Sequence, residues 1–353
     1  MEFTKLEIEE IKQRLKQGQK IEDLAYLVNH IINLQNLKSG TKYKPITIKR
    51  LKFYYANINK KYLAFDLPKK TGGTRPIAAP DKFLKKIQRR INLILSLLFL
   101  PREAAHGFIE HRSIVTNAKV HVAKKYILNV DLKEFFPTIH FGRIKAVFQL
   151  KPFELKPEFA HILSNFCCLN GTLPQGAPTS PILTNLVCQK FDSKLVKLSK
   201  EYHCFYTRYA DDITFSSVKN KFNEEFISKL EAVIKSEGFN LNEKKTRLQK
   251  KSARQEVTGI IVNQKLNLAR DYIRTIRAIL NNWERSGYEK AKVKFEQHYP
   301  QEKGFMRNKS IPEMENVLMG KILFLGMVRG KEDILYLKYK AKLKILIELK
   351  NRK

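Results

Sequence analysis

"YTRYADDITFSS", residues 206–217, sets Asp211 and Asp212 side by side between two short runs rich in aromatic and β-branched residues. Such runs read as strands, with Phe205, Thr207 and Tyr209 on one face before the turn and Ile213 and Phe215 after it. The stretch is expected to be a hairpin with an acidic tip. By itself it leaves two readings open. Asp is a favoured turn residue. Adjacent carboxylates also repel each other, and a divalent metal is the natural compensator for such a pair.

The rest of the chain is strongly basic. Its 353 residues carry 67 Lys and Arg against 34 Asp and Glu, a formal charge of +33. That excess points to a polyanionic partner, nucleic acid first. With 43% hydrophobic residues the chain can bury a sizeable core in two or three lobes. The longest apolar run, "INLILSLLFL" at 91–100, is far short of the roughly 20 residues that span a bilayer, so no membrane is expected. The acidic, helical N-terminus lacks the basic start and apolar block of a signal peptide, which leads us to expect a cytoplasmic protein. Cys167, Cys168, Cys188 and Cys204 have no CxxC spacing and read as buried thiols in a reducing compartment.

Outward from the hairpin, residues 1–45 form a segment of one or two amphipathic helices. "YLAFDLPKKTGGTRPIAAP" (62–80) reads as a basic hairpin turning at paired glycines, and "DKFLKKIQRRINLILSLL" (81–98) as a helix capped by Asp81, with Phe83, Ile87, Ile91 and Ile94 on one side. "KYILNVDLKEFFPTI" (125–139) is an apolar strand ending in Asp131, and "GTLPQGAPTSPILTNLVCQKFDSKL" (171–195) a loop feeding a helix. "EEFISKLEAVIKSEGF" (224–239) places Phe226, Leu230 and Val233 at helical spacing, before strands in "FNLNEKKTRLQ" and "QEVTGIIVN". Beyond about Lys265 helical periodicity dominates, including a basic helix in "LKYKAKLKILIELKNRK", for which a membrane-surface helix is the rival reading.

Taken in order, these stretches resemble the reverse transcriptase family. "YADD" (209–212) is similar to its catalytic hairpin, "LNVDLKEFF" (128–136) to its first catalytic-aspartate strand, and "LPQGAPTSP" (173–181) to its template and nucleotide-binding turn. "LPKKTGGTRPI" (67–77) resembles its fingers hairpin and "FNLNEKKT" (239–246) its next palm segment. The resemblance implies an α+β right-hand polymerase fold: an N-terminal helical segment (1–45), fingers and a palm of antiparallel sheet plus helices (46–264), and a helical, RNA-binding thumb (265–353).

It also implies RNA-directed DNA synthesis with two Mg2+ ions. Asp131 and Asp211 would hold the metals with Asp212 assisting, the Leu132 carbonyl would be a further ligand, and Lys245 a candidate general acid. Lys69 and Arg75 would contact the incoming dNTP triphosphate, with Lys70 able to stand in for Lys69. Phe136 matches the steric gate that would collide with a ribose 2′-hydroxyl. Gln175 and Gly176 occupy the nucleotide-binding turn, where glycine lets backbone approach substrate.

"NAKVH" (117–121) and "VTG" (257–259) resemble two signatures of retron reverse transcriptases. Each alone has a plainer reading: Asn117 and His121 as a helix-surface pair, Gly259 as a strand glycine. The resemblance implies RNA-binding roles for Asn117, His121, Val257, Thr258 and Gly259, and for thumb residues such as Arg274 and Arg277 among the aromatics Tyr272 and Tyr288. It further implies a cognate structured noncoding RNA as template and primer, priming from a guanosine 2′-hydroxyl, and a branched RNA–DNA product. A retron effector protein, anti-phage defence and a host ribonuclease H belong to the same expectation. The alternatives are another bacterial reverse transcriptase, of group II intron or phage-defence type, or a non-catalytic RNA-binding scaffold. No added DNA-binding or endonuclease segment is expected after the thumb, and a complete intron enzyme is therefore the less expected alternative.

Overall fold

The computed structural model describes residues 2–69, 72–303 and 310–352, so Lys70 lies outside the described residues. The chain begins with α1 (Lys5–Gln17), α2 (Ile21–Ser39) and α3 (Ile48–Ala56). A hairpin of β1 (Tyr62–Pro68) and β2 (Thr74–Pro80) leads into α4 (Lys82–Leu98). Asp81 caps α4 by accepting from the Phe83 and Leu84 amides, and Leu84, Ile87, Ile91, Ile94 and Leu95 are buried along one stripe. Burying each such side chain contributes about 1.5–3 kcal/mol, so this one face anchors the hairpin base to the core. Then follow α5 (Ile114–Lys119), β3 (Tyr126–Asp131), α6 (Phe141–Gln149), α7 (Pro157–Cys167), α8 (Ser180–Val187) and α9 (Gln189–Glu201). The remainder is β4 (Phe205–Tyr209), β5 (Asp212–Ser217), α10 (Glu224–Ser236), β6 (Arg247–Lys250), β7 (Glu256–Val257), β8 (Ile260–Ile261), α11 (Arg270–Ser286), α12 (Tyr288–Lys303), α13 (Met314–Arg329) and α14 (Ile334–Asn351).

The central sheet is antiparallel in the order β4-β5-β3-β6. Because strand side chains alternate, β3 sends Leu128 and Val130 to one face and Ile127, Asn129 and Asp131 to the other. Leu128 and Val130 join a core built from α1–α4 and α6–α10, whereas Ile127 joins a second core with Ala118 of α5, the β7–β8 hairpin and the C-terminal helices. The sheet is thus the partition between two cores. Along the second face the residues run from apolar Ile127 through Asn129 to Asp131, from interior to open cleft.

Several elements differ from the sequence expectation. Residues 239–246 do not form a strand: Leu241 makes one bridge to Leu132, residues 243–245 make a single 3-10 turn, and regular pairing begins only at β6. The Asn242 amide still donates to the Asp131 carbonyl at the end of β3, but the Lys245 and Thr246 amides turn back onto the Asn242 carbonyl, which closes a turn where a strand would run on. In α10 the buried positions are Phe226, Leu230 and Ile234, with Val233 only partly buried. β4 is buried on both faces, because Tyr206 and Arg208 are as enclosed as Thr207. Cys167, Cys168 and Cys188 are buried and Cys204 is partly so. No helix among the described residues is long and apolar enough to cross a membrane.

Candidate active site

The hairpin register places the acids. β4 and β5 pair Tyr209 with Asp212, leaving Ala210 and Asp211 as a two-residue turn, and β5 pairs Asp212 with Asp131 of β3. Tyr209, Asp212 and Asp131 therefore stand in a row on the open end of the sheet, with Asp211 at the adjoining tip. Ala210 adopts φ 57°, a left-handed conformation that costs a residue with a Cβ about 1–2 kcal/mol. The turn is strained at the point where the acids are presented.

This end of the sheet floors a cleft of about 1810 Å³. Its lining includes Asp131, Leu132, Asp211, Asp212 and Lys245, and also Lys69, Arg75, Phe136, Gln175 and Gly176. Lys69 and Arg75 are exposed on the β1–β2 hairpin. That hairpin is joined to the turn after α7, since the Ala78 amide donates to the Gln175 carbonyl at 2.9 Å. Gly176 has φ 134°, and a Cβ there would lie 2.7 Å from the Ala78 oxygen, so only glycine fits.

The electrostatics are unbalanced. Burial first, then Asp131, raises the Asp211 carboxyl above its ordinary range. Asp212 is open to the cleft yet surrounded by protein, and burial with the charges of Asp211 and Asp131 pushes it up to about 6. Among the described residues neither one has an ion-pair partner within 4 Å. Asp131 does: Lys245 Nζ lies 2.8 Å from Oδ1 and Asn242 Nδ2 lies 2.9 Å from Oδ2. The hydrogen bond to Asp131 in turn raises the Lys245 pKa.

Three carboxylates without thiol or imidazole fit a hard, oxygen-seeking divalent ion. They do not form a ready-made cage: among the described residues no three His, Cys, Asp or Glu side chains are gathered closely enough to hold an ion. Asp131 is engaged instead by Lys245 and Asn242, which place a charge and a donor at its two oxygens.

Other residues of the cleft were not anticipated. Phe108, at φ 61° and half exposed, has its ring centroid 6.4 Å from that of Phe136 and 6.4 Å from that of Tyr209. Nothing in the local sequence pattern marks it. Lys85 and Arg89 of α4 also line the cleft, and their spacing of four, opposite the apolar stripe, was a usable signal.

The two short signatures meet each other. Asn117 Nδ2 lies 3.5 Å from Thr258 Oγ1, and Thr258 Oγ1 donates to the Ile114 carbonyl at 3.2 Å. His121 bridges Ser216 of β5 (2.6 Å) and Thr207 of β4 (2.7 Å). Burial, with His106 and Lys124 nearby, pulls its pKa down to about 3. Asn117, His121 and Val257 are buried. Their burial replaces the plainer reading of a helix-surface pair: they join α5, the catalytic hairpin and β7–β8 internally. Gly259 is exposed, with φ 83° and open space where a Cβ would be. Arg274 and Arg277 are exposed on α11. The aromatics beside them pack within the helical region instead: Tyr272 against Phe324, and Tyr288 under the Lys350 ammonium at 3.8 Å.

Comparison with known proteins gives this arrangement a family. The model of the family "Reverse transcriptase (RNA-dependent DNA polymerase)" matches residues 67–262. Retron Mx65 reverse transcriptase of Myxococcus xanthus is 35% identical over 246 residues, covering 64% of this chain and 56% of its own length. Retron Mx162 reverse transcriptase of the same organism is 33% identical over 257 residues, 63% of this chain and 52% of its own. The chain thus spans little more than half the length of these two relatives. Retron Ec86 reverse transcriptase of Escherichia coli is 32% identical over 254 residues, 70% of this chain and 78% of its own. An α+β chain with these acids at the open end of an antiparallel sheet, and with these relatives, belongs to the reverse transcriptase family of right-hand polymerases and, within it, to the retron reverse transcriptases.

Proposed function

We propose that the chain is an RNA-directed DNA polymerase that copies part of a cognate structured noncoding RNA into DNA, primed from a guanosine 2′-hydroxyl, to give a branched RNA–DNA product. One observation carries the catalytic part: the carboxylates of Asp131, Asp211 and Asp212 and the phosphate-binding candidates Lys69 and Arg75 line a single cleft. Two magnesium ions held by Asp131, Asp211, Asp212 and the Leu132 carbonyl would supply charge neutralisation at the reacting phosphate. Arg75 can meet a phosphate bidentately and Lys69 as a point charge. Phe136, on the cleft wall, would exclude the ribose 2′-hydroxyl. Lys245 can act as a general acid only once its pair with Asp131 opens. The fingers and palm would comprise 46–264 and the RNA-binding thumb 265–353, with Arg274, Arg277 and the exposed tip at Gly259 available to RNA. A defence role with an effector protein, and removal of template RNA by a host ribonuclease H, rest on the family alone.

The test is primer extension on RNA by the purified protein with dNTPs and magnesium, beside Asp211→Asn. The variant should keep RNA affinity and lose at least about a hundredfold in synthesis. Undiminished synthesis would remove Asp211 from the metal site. Sequencing of copurified nucleic acid should find a branched RNA–DNA species; spliced intron RNA alone would overturn the retron-type product.

A further inference from the structure

Beneath the acidic turn lies a group that the catalytic reading does not use. Arg208, next to last in β4, is fully buried. Its Nε and Nη2 donate to the two carboxylate oxygens of Asp192, both at 2.7 Å. Nη2 also donates to Asn185 Oδ1 at 3.1 Å, and Nη1 donates to the Ala210 carbonyl at 3.1 Å. Tyr206 shares the same Asp192 carboxylate. We propose that Arg208 is the positioning residue of the catalytic turn: anchored on Asp192, it fixes the peptide between Ala210 and Asp211 and so aims the carboxylates into the cleft.

Peptide planarity makes one hydrogen bond enough to restrain the turn. The Ala210 carbonyl and the Asp211 amide belong to one rigid plane, so a donor held at that oxygen restricts ψ of Ala210 and φ of Asp211 together. Those angles set the direction of the Asp211 side chain. The preceding peptide is held from the other side, because a Cβ on Gly107 would lie 2.5 Å from the Ala210 nitrogen. Asn185 ties the two supports together: its Nδ2 donates to the Gly107 carbonyl at 2.9 Å while its Oδ1 accepts from Arg208. Ala210 sits at φ 57°, a conformation that alanine does not keep unaided. A buried ion pair is a poor device for stability alone, since apolar side chains of the same volume usually serve as well. A planar guanidinium that binds a carboxylate bidentately and still has a donor for the turn gives orientation, which a lysine ammonium cannot match.

The inference rests on the polymerase reading, and the experiment separates the two. Arg208→Gln with Asp192→Asn removes the ion pair without changing net charge and leaves Tyr206 an acceptor. Gly107→Ala presses the same turn from the other side and touches no buried charge. Both are compared with the parent protein for thermal midpoint, RNA affinity, magnesium binding by titration calorimetry, and kcat and KM for dNTPs. For a folded variant kcat should fall by about a hundredfold, as a misplacement near 1 Å does, with KM and RNA affinity little changed and magnesium binding weakened. If either variant keeps its melting temperature and matches the parent in kcat and magnesium affinity, Arg208 is structural only and the proposal is overturned. Should the double variant not fold, Gly107→Ala decides. If the parent itself makes no DNA, the polymerase reading fails, and magnesium affinity alone then judges the clamp.

Discussion

At the scale of single residues, two aromatic rings and one imidazole carry more than the sequence disclosed. Phe136 was expected as a gate and lies on the cleft wall, but its ring has Phe108 as a neighbour rather than standing alone. Replacing Phe136 by Ala should raise ribonucleotide incorporation relative to deoxynucleotide by about tenfold or more, since the 2′-hydroxyl then meets open space; an unchanged ratio would transfer the gate to another side chain. His121 makes a prediction of a different kind. In the folded protein its pKa is pulled down to about 3, and that of His106, by burial and Arg112, to about 4. A histidine takes up a proton near pH 6.5 when unfolded, so below that value the unfolded state binds protons that the folded state refuses. Stability contributed by the neutral rings is complete above pH 6.5 and is lost as pH falls toward those depressed values, at about 1.4 kcal/mol per pH unit for each ring. Urea unfolding at pH 7.5 and pH 5 should therefore differ by a few kcal/mol. His121→Asn should be less stable at neutral pH but lose less on acidification. An equal acid loss in that variant would show that another group, not His121, takes up the proton.

At the scale of elements, the turn after α7 and the β1–β2 hairpin act as one unit, which yields a sharp expectation. Gly176→Ala must either move the Ala78 carbonyl or release the turn, because 2.7 Å is closer than a Cβ can approach, and its φ of 134° is strained for any residue but glycine. Gln175, Lys69 and Arg75 would shift relative to one another. We expect KM for dNTPs to rise about tenfold or more with RNA affinity unchanged, measured by steady-state extension beside RNA binding; a normal KM would separate the turn from the nucleotide site. Much of this scale was legible in the sequence. The hairpin glycines, the Asp81 cap and the alternation into Asp131 each reflect a local rule, and each element formed where that rule put it. The exceptions are long-range. Residues 239–246 have strand-like composition, but Asn242 is held by Asp131, 111 residues away, and no local pattern encodes that bond. Asn117 and Thr258 are likewise 141 residues apart. Their short motifs could be recognised, whereas the burial of Asn117 and His121 could not be read from them. Arg208 was a missed signal: a lone arginine inside an apolar strand asks for a buried carboxylate, and Asp192 supplies it.

At the scale of the whole molecule, the partition of the chain into two cores by one sheet explains how a basic protein can present acids. The acids sit where the sheet leaves both cores and opens to the cleft, while Lys69, Arg75, Lys85 and Arg89 line that cleft and other basic side chains lie exposed on the helices. Not all of that charge is free. On α14, Lys342 is engaged by Glu284 and Asn281, and Lys350 by Glu315, while Lys338 and Lys340 are exposed. On α11, Arg277 is exposed and Arg274 is 3.4 Å from Asp271. If these exposed groups neutralise RNA phosphates, binding releases condensed cations and the affinity must fall with salt. Six or more such contacts would weaken binding by about a thousandfold between 50 and 200 mM salt. Because the paired lysines contribute nothing to that slope, Lys342→Gln should leave it unchanged, whereas Lys338→Gln with Lys340→Gln should make it shallower by about two contacts. The rival reading of α14 as a membrane-surface helix makes the opposite forecast. Four of its apolar side chains, Tyr336, Tyr339, Leu343 and Leu346, are buried in the second core, while Ile334, Leu337, Ile345 and Leu349 are exposed. With the aromatic side chains of the helix held in that core, only these four aliphatic side chains are left to face a bilayer, without the aromatic anchors of an interfacial helix, so the protein should not bind anionic vesicles under conditions in which it binds RNA. Vesicle binding at 200 mM salt, or an RNA affinity indifferent to salt, would reverse the assignment of this surface.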